Sequence, residues 1–260
     1  MDKATRRLAK AIKRGQVAEA YDGIDVACVI HGDLYSWLYV EHLRDMVCTN
    51  ISVPVNFHVF TEPQRSVPSP MIKHSLELWP NVEGRKKAWW YKMQMFDPTH
   101  IARQVLYFDL DVVITSNIDW VLSMRRDYFW ALRDFKYLWR PNWHGINSSM
   151  MWWNVPAWER IWKDFRSRVL ARVMRQFPGD QDFLSSVIDA RELRFIDQNR
   201  VASWRWQVWE GGMDMHTRQT LCPGQGMILP PENSVVIFHG NPKPHEIDDD
   251  SVKKLWGTHK

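Results

Sequence analysis

The sequence predicts an α/β protein in which a β-sheet is covered by helices. Segments with the pattern of strands alternate with segments of helical pattern along most of the 260 residues. One segment, residues 106–114, is apolar over nearly its whole length, which is typical of a strand buried inside a sheet. No internal repeat or linker-like stretch divides the chain, so we expect one large domain.

The first part of the chain contains four predicted elements. They are a strand at residues 24–30, a helix at 36–46, a strand at 53–60 and a short helix at 86–96. Apolar residues fill most of the first strand, whereas in the second they alternate with polar residues, at Val55, Phe57 and Val59. Three prolines within residues 61–70 predict a loop there.

The elements from residue 105 onward continue the alternation. They are strands at 105–114, 128–135, 150–153, 193–196 and 234–238, and helices at 156–176 and 180–188. Pro156 suits the first turn of its helix, the Phe177-Pro178-Gly179 run ends that helix, and Asp180 can cap the next one. The predicted irregular segments are 139–149, 211–212 and 223–231.

The chain has a net charge of +4, and its cations are unevenly placed. Six lysines and arginines precede residue 15, opposite a weak apolar stripe if this segment is a helix. Such a helix can be a solvated element docked on the domain, or it can contact phosphates of a nucleic acid or of an anionic membrane surface. We therefore divide the chain into a basic N-terminal helix (1–22), a main domain (23–246) and a polar C-terminal tail (247–260).

Composition also bears on the cellular location. No stretch approaches 18 consecutive apolar residues, and no apolar segment follows the N-terminal charges, so we expect neither a membrane span nor a secretory signal. The three cysteines are far apart and form no C-x-x-C pair, which favours a reduced, cytoplasmic protein.

Of the 16 tryptophans, we expect most to pack in the core and a few to line a ligand groove.

Two carboxylates interrupt the apolar run 106–114. Asp109 and Asp111 are two residues apart, so along a strand both would point the same way while Leu110 faces the core. Burying two anions is costly unless a positive charge neutralises them. Hard oxygen ligands suit Mg²⁺ or Mn²⁺, and the crevice at the end of such a strand binds nucleotides in open α/β sheets. We therefore predict a divalent metal site beside a nucleotide site.

A second polar group follows the last predicted strand. His239 comes directly after this strand and before Gly240, and Lys243 lies between two prolines. Imidazole is a good third ligand for a Mn²⁺ site, although a structural histidine is the alternative. Glycine lets the main chain approach a phosphate closely, and lysine adds a compact positive charge. We predict His239 as a metal ligand and Gly240 with Lys243 as phosphate-binding residues.

Three further segments carry candidate site residues. They contain Lys92, then Asn147 with Ser148, and then Asp180, Gln181 and Asp182. The lysine belongs to a basic, aromatic stretch at a helix start, which can hold a polyanion. The asparagine and serine supply donors and acceptors suited to sugar hydroxyls. The last three open a helix, where capping accounts for one of them and leaves the others free to meet a substrate as catalytic residues.

The order of these motifs resembles that of the nucleotide-sugar-dependent glycosyltransferases of the GT-A fold, and looks most like family 8 and its bacterial relatives. The shared order runs from about residue 24 to 246: a first strand, a basic aromatic helix, a D-x-D strand, an Asn-Ser loop, a D-Q-D helix start and a late His-Gly-x-x-Lys-Pro. The chain departs from the commonest form at Ser149, where glycine is usual, and in the short spacing from His239 to Lys243. The resemblance implies a mixed, mainly parallel sheet flanked by helices.

The resemblance also implies roles for individual residues. Asp109, Asp111 and His239 would bind Mn²⁺ or Mg²⁺ on the donor diphosphate, which Lys243 and the Gly240 backbone would also contact. The other implied positions are His31 and Gly32 at the nucleoside, Lys92 near the donor, Asn147 and Ser148 at the transferred sugar, and Asp180 and Gln181 beside the anomeric carbon and the acceptor.

We therefore expect a metal-dependent glycosyltransferase that moves a sugar from a nucleotide diphosphate sugar, with a UDP-sugar favoured, to an acceptor hydroxyl. The acceptor can be a glycan, a lipid-linked sugar or modified DNA. The resemblance favours retention of configuration; in an inverting reaction Asp180 or Asp182 would take the acceptor proton.

Two alternatives remain open. A nucleotidyltransferase acting on sugar phosphates would share the sheet and the paired carboxylates, but it would be expected to have a glycine-rich phosphate loop near the first strand. A non-catalytic sugar- or nucleic-acid-binding protein would explain the indoles and the basic N-terminus. It would not explain two anions in an apolar strand.

Overall fold

A computed structural model gives the fold and describes residues 23–80, 82, 87–209, 229 and 231–257. The strands in this part of the chain are Ile24–Val29 (β1), Val55–Thr61 (β2), Ile72–Ser75 (β3), Gln104–Phe108 (β4), Val112–Ile114 (β5), Phe129–Arg133 (β6), Ile146–Asn154 (β7), Leu193–Phe195 (β8), Val201–Ser203 (β9) and Val235–Ile237 (β10). The α-helices are Leu38–Asn50 (α1), Val155–Ser167 (α2), Leu170–Gln176 (α3), Asp180–Val187 (α4) and Asp250–Gly257 (α5).

The strands form two sheets. The larger has seven strands in the order β3-β2-β1-β4-β7-β6-β8, and the smaller has the order β5-β10-β9. In the larger sheet only β7 runs against its neighbours, β4 and β6, while all other pairs are parallel. The prediction of a mixed, mainly parallel sheet flanked by helices is therefore confirmed.

Each face of the larger sheet is covered by a separate apolar core. On one face, side chains of α1, the smaller sheet and α5 pack together. On the other face, the 3₁₀ helix Ala88–Phe96 packs with α2, α3 and α4. The central strands contribute to both cores; Val26 and Cys28 of β1 face the first core and Ala27 faces the second. This two-sided burial explains why these strands are almost continuously apolar.

The prediction of one continuous strand over residues 105–114 is wrong. The run is divided into β4 and β5, which belong to different sheets, and Asp109, Leu110 and Asp111 form the connection. The inference that both carboxylates point the same way along a strand therefore does not apply. Because the chain leaves the ladder at Phe108, the two carboxylates lie at the end of the sheet, where Lys92 and Lys243 neutralise them.

The chain differs from the prediction at several other elements. Asn147 and Ser148 lie inside β7 and not in a loop, because the strand begins at Ile146. The long helix over residues 156–176 is divided into α2 and α3. Strands β3 and β9 were not predicted, since each is a short segment with little apolar alternation. Gly179, not Asp180, is the N-cap residue of α4.

Of the two segments predicted to flank the main domain, only the C-terminal one lies mostly within the described residues. The predicted N-terminal helix (1–22), residues 84–86, 211–212 and most of 223–231 lie outside the described residues. The predicted polar tail contains α5, where Trp256 is buried against Tyr39 and His42. Within the described residues, no helix has both the length and the apolar character that crossing a membrane requires.

Candidate active site

Asp109 and Asp111 lie in the turn where the chain leaves the larger sheet for the smaller one. The amide of Asp109 donates to the carbonyl of Ser149 (2.8 Å), and the amide of Phe238 donates to the carbonyl of Asp111 (3.1 Å). Strand β7 and the end of β10 therefore fix the two ends of this turn. It follows the carboxyl end of β4, the edge at which open α/β sheets bind ligands.

Among the described residues, the carboxylate of Asp109 has two hydrogen-bond or ion-pair partners. Its Oδ1 lies 2.8 Å from the ammonium Nζ of Lys92, and it accepts a 2.5 Å hydrogen bond from the hydroxyl of Tyr107. Burial, followed by the charge of Asp109, raises the pKa of Tyr107, so its hydroxyl keeps the proton that it donates.

Lys92 connects the sheet to α4. Its buried ammonium also donates to Oγ of Ser148 (3.1 Å) and lies 3.6 Å from Oδ2 of Asp180. Burial alone would lower the pKa of Lys92, but the charges of Asp109 and Asp180 outweigh it and the pKa is raised. Burial raises the pKa of Asp180, while Lys92 opposes that rise. The ammonium is within hydrogen-bond distance of Asp109 and Ser148, whereas its contact with Asp180 is an ion pair at a longer distance.

Asp111 is buried and has its own set of partners. Its Oδ2 pairs with the ammonium of Lys243 and accepts a hydrogen bond from the hydroxyl of Tyr35 (2.8 Å). Burial, followed by the charge of Asp109, raises the pKa of Asp111, and Lys243 opposes the rise. Among the described residues, three carboxylates (109, 111 and 180) thus face two ammonium groups (92 and 243).

Both carboxylates open onto one cavity of about 350 Å³. The lining residues are Val29, His31, Leu34, Tyr35, Ala88, Trp89, Lys92, Tyr107, Asp109, Leu110, Asp111, Gly240 and Lys243. One part of the wall is apolar, with Leu34 and Trp89 exposed to solvent. Other lining residues carry the charged pairs, so the cavity offers both apolar surface and an electrostatic site.

The end of β1 leads into the cavity at His31 and Gly32. His31 lines the cavity, and burial lowers the pKa of its ring. Gly32 has a φ of +65°, which favours glycine, and its amide donates to Oε1 of Glu62 (2.6 Å). Arg65 pairs with Glu62 (2.9 Å) and donates to the carbonyl of Gly32 (2.9 Å). Gly32 itself is not among the residues that line the cavity.

The late histidine and glycine take different positions. Gly240 lines the cavity with a φ of +77°. His239 does not line it; its Nε2 lies 3.3 Å from Oγ of Ser203, and its buried Nδ1 has no hydrogen-bond partner among the described residues. Burial lowers the pKa of His239 to about 4, so the ring is neutral at pH 7. In the described part of the chain, no three His, Cys, Asp or Glu side chains already converge as a metal site.

The predicted sugar-binding and catalytic residues are brought to the same end of the sheet, but not into one cavity. Oγ of Ser148 accepts a hydrogen bond from Lys92, while Oδ1 of Asn147 accepts one from the amide of Ser149 (3.0 Å). Of the first turn of α4, Asp180 faces Lys92, whereas Gln181 and Asp182 line a separate cavity.

Several residues of the site were not predicted from the sequence. Tyr35, Tyr107 and Trp89 contact or flank the carboxylates and the cavity, and Glu62 with Arg65 hold the end of β1. The Glu-x-x-Arg spacing after β2 was an available signal for the last pair. The tyrosines carry no such signal, because their role depends on which strand ends meet.

Comparisons with known proteins bear on the fold. No protein-family model and no curated protein sequence matches the chain. An active-site mutant of LgtC matches with a TM-score of 0.63 at 13% identity, over 89% of this chain and 95% of that one. The galactosyltransferase LgtC in complex with donor and acceptor sugar analogs gives 0.58 at 15% identity, over 90% and 92%.

A third structure extends the comparison. The bifunctional glycosyltransferase WbbM, in its apo form, gives a TM-score of 0.60 at 12% identity, over 93% of this chain and 51% of its own length. At these identities the likeness concerns the arrangement of strands and helices. The chain therefore has the GT-A fold shared by these glycosyltransferases, as the order of its motifs predicted.

Proposed function

We propose that this chain transfers a sugar from a nucleotide diphosphate sugar, with a UDP-sugar favoured, to an acceptor hydroxyl. The observation that carries the proposal is the Asp109–Asp111 turn, which presents two carboxylates with two lysines at the ligand-binding edge of the sheet. The proposed catalytic unit spans residues 23–246. The wide separation of the cysteines supports a cytoplasmic location.

The cavity has the composition that such a donor requires. Its apolar wall, with Leu34 and Trp89, suits a nucleoside, and its charged wall suits a diphosphate. LgtC, which shares the fold, has been solved with donor and acceptor sugar analogs. This supports the same assignment of ligands here.

A divalent cation fits the chemistry of the carboxylate pair. Asp109 and Asp111 provide hard oxygen donors, and the excess of carboxylates over ammonium groups leaves negative charge to be balanced. His239 is a candidate third ligand, because its ring is neutral and, within the described part of the chain, its buried Nδ1 has no hydrogen-bond partner. We propose that these three residues hold Mn²⁺ or Mg²⁺, which would act as a Lewis acid on the leaving diphosphate.

The chain's own residues supply the remaining functions. Lys243 and the Gly240 backbone bind the diphosphate, and the Lys243 charge stabilises it as it leaves. In the transfer, the bond from the anomeric carbon to the diphosphate oxygen breaks and a bond to the acceptor oxygen forms. The acceptor proton passes to the leaving diphosphate, which is consistent with retention. Asp180 stabilises the positive charge that develops on the sugar, with Lys92 holding its carboxylate in place.

Calorimetry of nucleotide binding tests this proposal. We expect UDP or GDP to bind in the presence of Mn²⁺, and Asp111→Asn to weaken that binding at least about tenfold, because it removes one metal-binding charge. Asp127→Asn, which changes an exposed carboxylate outside the cavity, is the matched control. A screen of nucleotide sugars for metal-dependent hydrolysis then identifies the donor.

Two outcomes would favour the alternatives. Metal-independent binding that Asp111→Asn does not change would favour a non-catalytic binding protein. Release of pyrophosphate from a nucleoside triphosphate and a sugar phosphate would favour a nucleotidyltransferase.

A further inference from the structure

The turn that follows β9 lies beside the segment that carries Gly240. Strands β9 and β10 are parallel neighbours, with Ser203 opposite Ile237, so they end at the same edge of the smaller sheet. After Ser203 the chain forms a single π-helical turn, Trp204–Val208, and after Ile237 it continues to Gly240. Single π-helical turns are frequent at functional sites. Side chains of this turn therefore lie close to a glycine that lines the cavity proposed for the donor.

Packing and hydrogen bonds fix this turn against the end of β10. The indole of Trp204 is buried and stacks on Phe238, with ring centroids 4.9 Å apart. Oγ of Ser203 accepts a hydrogen bond from the amide of Trp206 (3.2 Å) and lies 3.3 Å from Nε2 of His239. The residue between the two tryptophans is therefore held in place from both sides.

That residue, Arg205, is a half-buried cation with no hydrogen bond or ion pair among the described residues. Its guanidinium lies over the ring of Trp206, 4.9 Å from the ring centre. Its Nη1 lies 3.9 Å from the point that a Cβ at Gly240 would occupy. Arg205 does not itself line the cavity, and the missing side chain of Gly240 leaves the space between them open.

The charge of Arg205 acts on the end of β10. Burial lowers the pKa of His239 to about 4, and the charge of Asp134 opposes this shift. The charges of Arg205 and Lys243 lower the pKa further, so both cations act on the same short segment. Lys243 is paired with Asp111, whereas the described part of the chain offers Arg205 no such pair. A half-buried guanidinium without a counter-ion is suited to binding an anion.

The charge balance of the proposed complex favours a further cation. The three carboxylates and two ammonium groups leave one negative charge in the site. A divalent cation reverses that sign by one charge, and the diphosphate of a nucleotide sugar then adds two negative charges. One negative charge is left, and Arg205 supplies the positive charge that balances it. A guanidinium can also donate two parallel hydrogen bonds to a phosphate, which gives geometric specificity as well as charge.

We propose that Arg205 binds the donor diphosphate beside Gly240, in addition to the metal and Lys243. Its guanidinium donates to the phosphate oxygens that approach the Gly240 backbone. Its charge also stabilises the diphosphate as this group leaves the sugar. The inference rests on the proposed function, because it requires that the cavity bind a diphosphate.

Nucleotide binding by two variants tests the inference. Arg205→Met removes the charge but keeps an unbranched side chain that can pack on Trp206. In calorimetry with Mn²⁺, we expect it to weaken UDP binding about tenfold. Uridine lacks phosphate, so its saturation-transfer NMR signal should not change. Arg205→Lys should recover part of the loss because it restores a positive charge, and Arg172→Met, which changes an exposed arginine of α3, is the matched control.

Chemical modification of the wild type gives a second test, which does not depend on the folding of a variant. Phenylglyoxal reacts with arginine side chains, and mass spectrometry of the peptides measures the extent of reaction at each arginine. We expect UDP with Mn²⁺ to slow the modification of Arg205 at least about threefold and to leave that of Arg172 unchanged.

Three results would overturn the inference. They are an unchanged UDP affinity in Arg205→Met, an equal loss of uridine binding in that variant, and modification of Arg205 that bound UDP does not slow. Failure of the proposed function is a separate outcome, in which the wild type binds no nucleoside diphosphate. Inorganic pyrophosphate with Mn²⁺ is then the probe: protection of Arg205 would support a diphosphate site without a nucleotide, and a lack of protection would overturn it.

Discussion

Lys243 neutralises a carboxylate that we also propose as a metal ligand. Its ammonium pairs with Asp111, which is buried and also accepts a hydrogen bond from the hydroxyl of Tyr35. A cation and this ammonium compete for the same carboxylate, while a diphosphate would attract the lysine away from it. The metal and the nucleotide should therefore promote each other's binding, since each removes an obstacle to the other.

Replacing Lys243 separates its competition with the metal for Asp111 from its attraction to the diphosphate. We expect Lys243→Met to raise the affinity for Mn²⁺ without nucleotide by roughly tenfold, because one competing charge is gone, and to weaken the binding of UDP. Electron paramagnetic resonance measures the first and calorimetry the second. Lys253→Met removes an exposed lysine on α5 and is the matched control. An unchanged or lower Mn²⁺ affinity in Lys243→Met would contradict the competition.

At the scale of elements, β3 is joined to β1 through a row of histidines. His58 Nδ1 lies 2.8 Å from His74 Nε2, and His58 Nε2 lies 3.2 Å from Oδ1 of Asp25. Burial, followed by the charges of His58 and His100, lowers the pKa of His74 to about 4. Burial raises the pKa of Asp25, but hydrogen bonds with His58 and with Asn56 outweigh it and the pKa is lowered. Arg103 pairs with Asp25 (3.1 Å), and burial also lowers the pKa of His100.

These shifts predict a loss of stability in acid. A histidine whose pKa is lowered by folding stabilises the fold above its ordinary pKa of 6.5, and this contribution is lost as pH falls toward 4. His74→Phe keeps a ring stacked on Phe60 (centroids 4.5 Å apart) and removes the titrating group. Between pH 7.5 and 4.5, we expect the wild type to lose about 1 kcal/mol more unfolding free energy than the variant, a modest amount because the ring is only partly buried. Urea denaturation measures the unfolding free energy of the wild type and of the variant at each pH. The same pH dependence in the two proteins would contradict the prediction.

At the scale of the whole molecule, aromatic packing holds the helices to the sheet. Trp153 of β7 is fully buried, with its ring centroid 4.6 Å from that of Phe96 and 5.8 Å from that of Phe129. Trp90 and Phe183 bring the 3₁₀ helix and α4 into the same core. This core supports Lys92 and Asp180, so its packing also fixes the ion pairs of the site.

Loss of a central indole should therefore affect the entire fold. We expect Trp153→Ala to lower the free energy of unfolding by about 3–5 kcal/mol, because it leaves a large cavity among rigid rings. The partly exposed Trp209 is the comparison, and Trp209→Ala should cost less than about 1 kcal/mol. Chemical denaturation of both variants tests the difference, and a loss of less than about 1 kcal/mol in Trp153→Ala would show that the core does not depend on this indole.

Parts of the fold and site followed from local pattern. The boundaries of β1, β2 and α4 were predicted to within about two residues, because apolar periodicity and turn residues mark them. Asp109 and Asp111 line a cavity, which agrees with the argument that anions in an apolar run must leave the core or be neutralised. The break between β4 and β5 did not follow, because both halves are equally apolar and only the second sheet distinguishes them.

The sequence by itself determined the fold class, the order of motifs and the identity of the two acidic residues in the apolar run, because these depend on local composition and spacing. The tertiary structure decided which charges meet: Lys92 with Asp109 and Asp180, and Lys243 with Asp111. It also decided that the connection from β6 to β7 joins α4 in a second cavity. Such pairings depend on strand order and register, which bring distant residues together and leave no trace in local pattern.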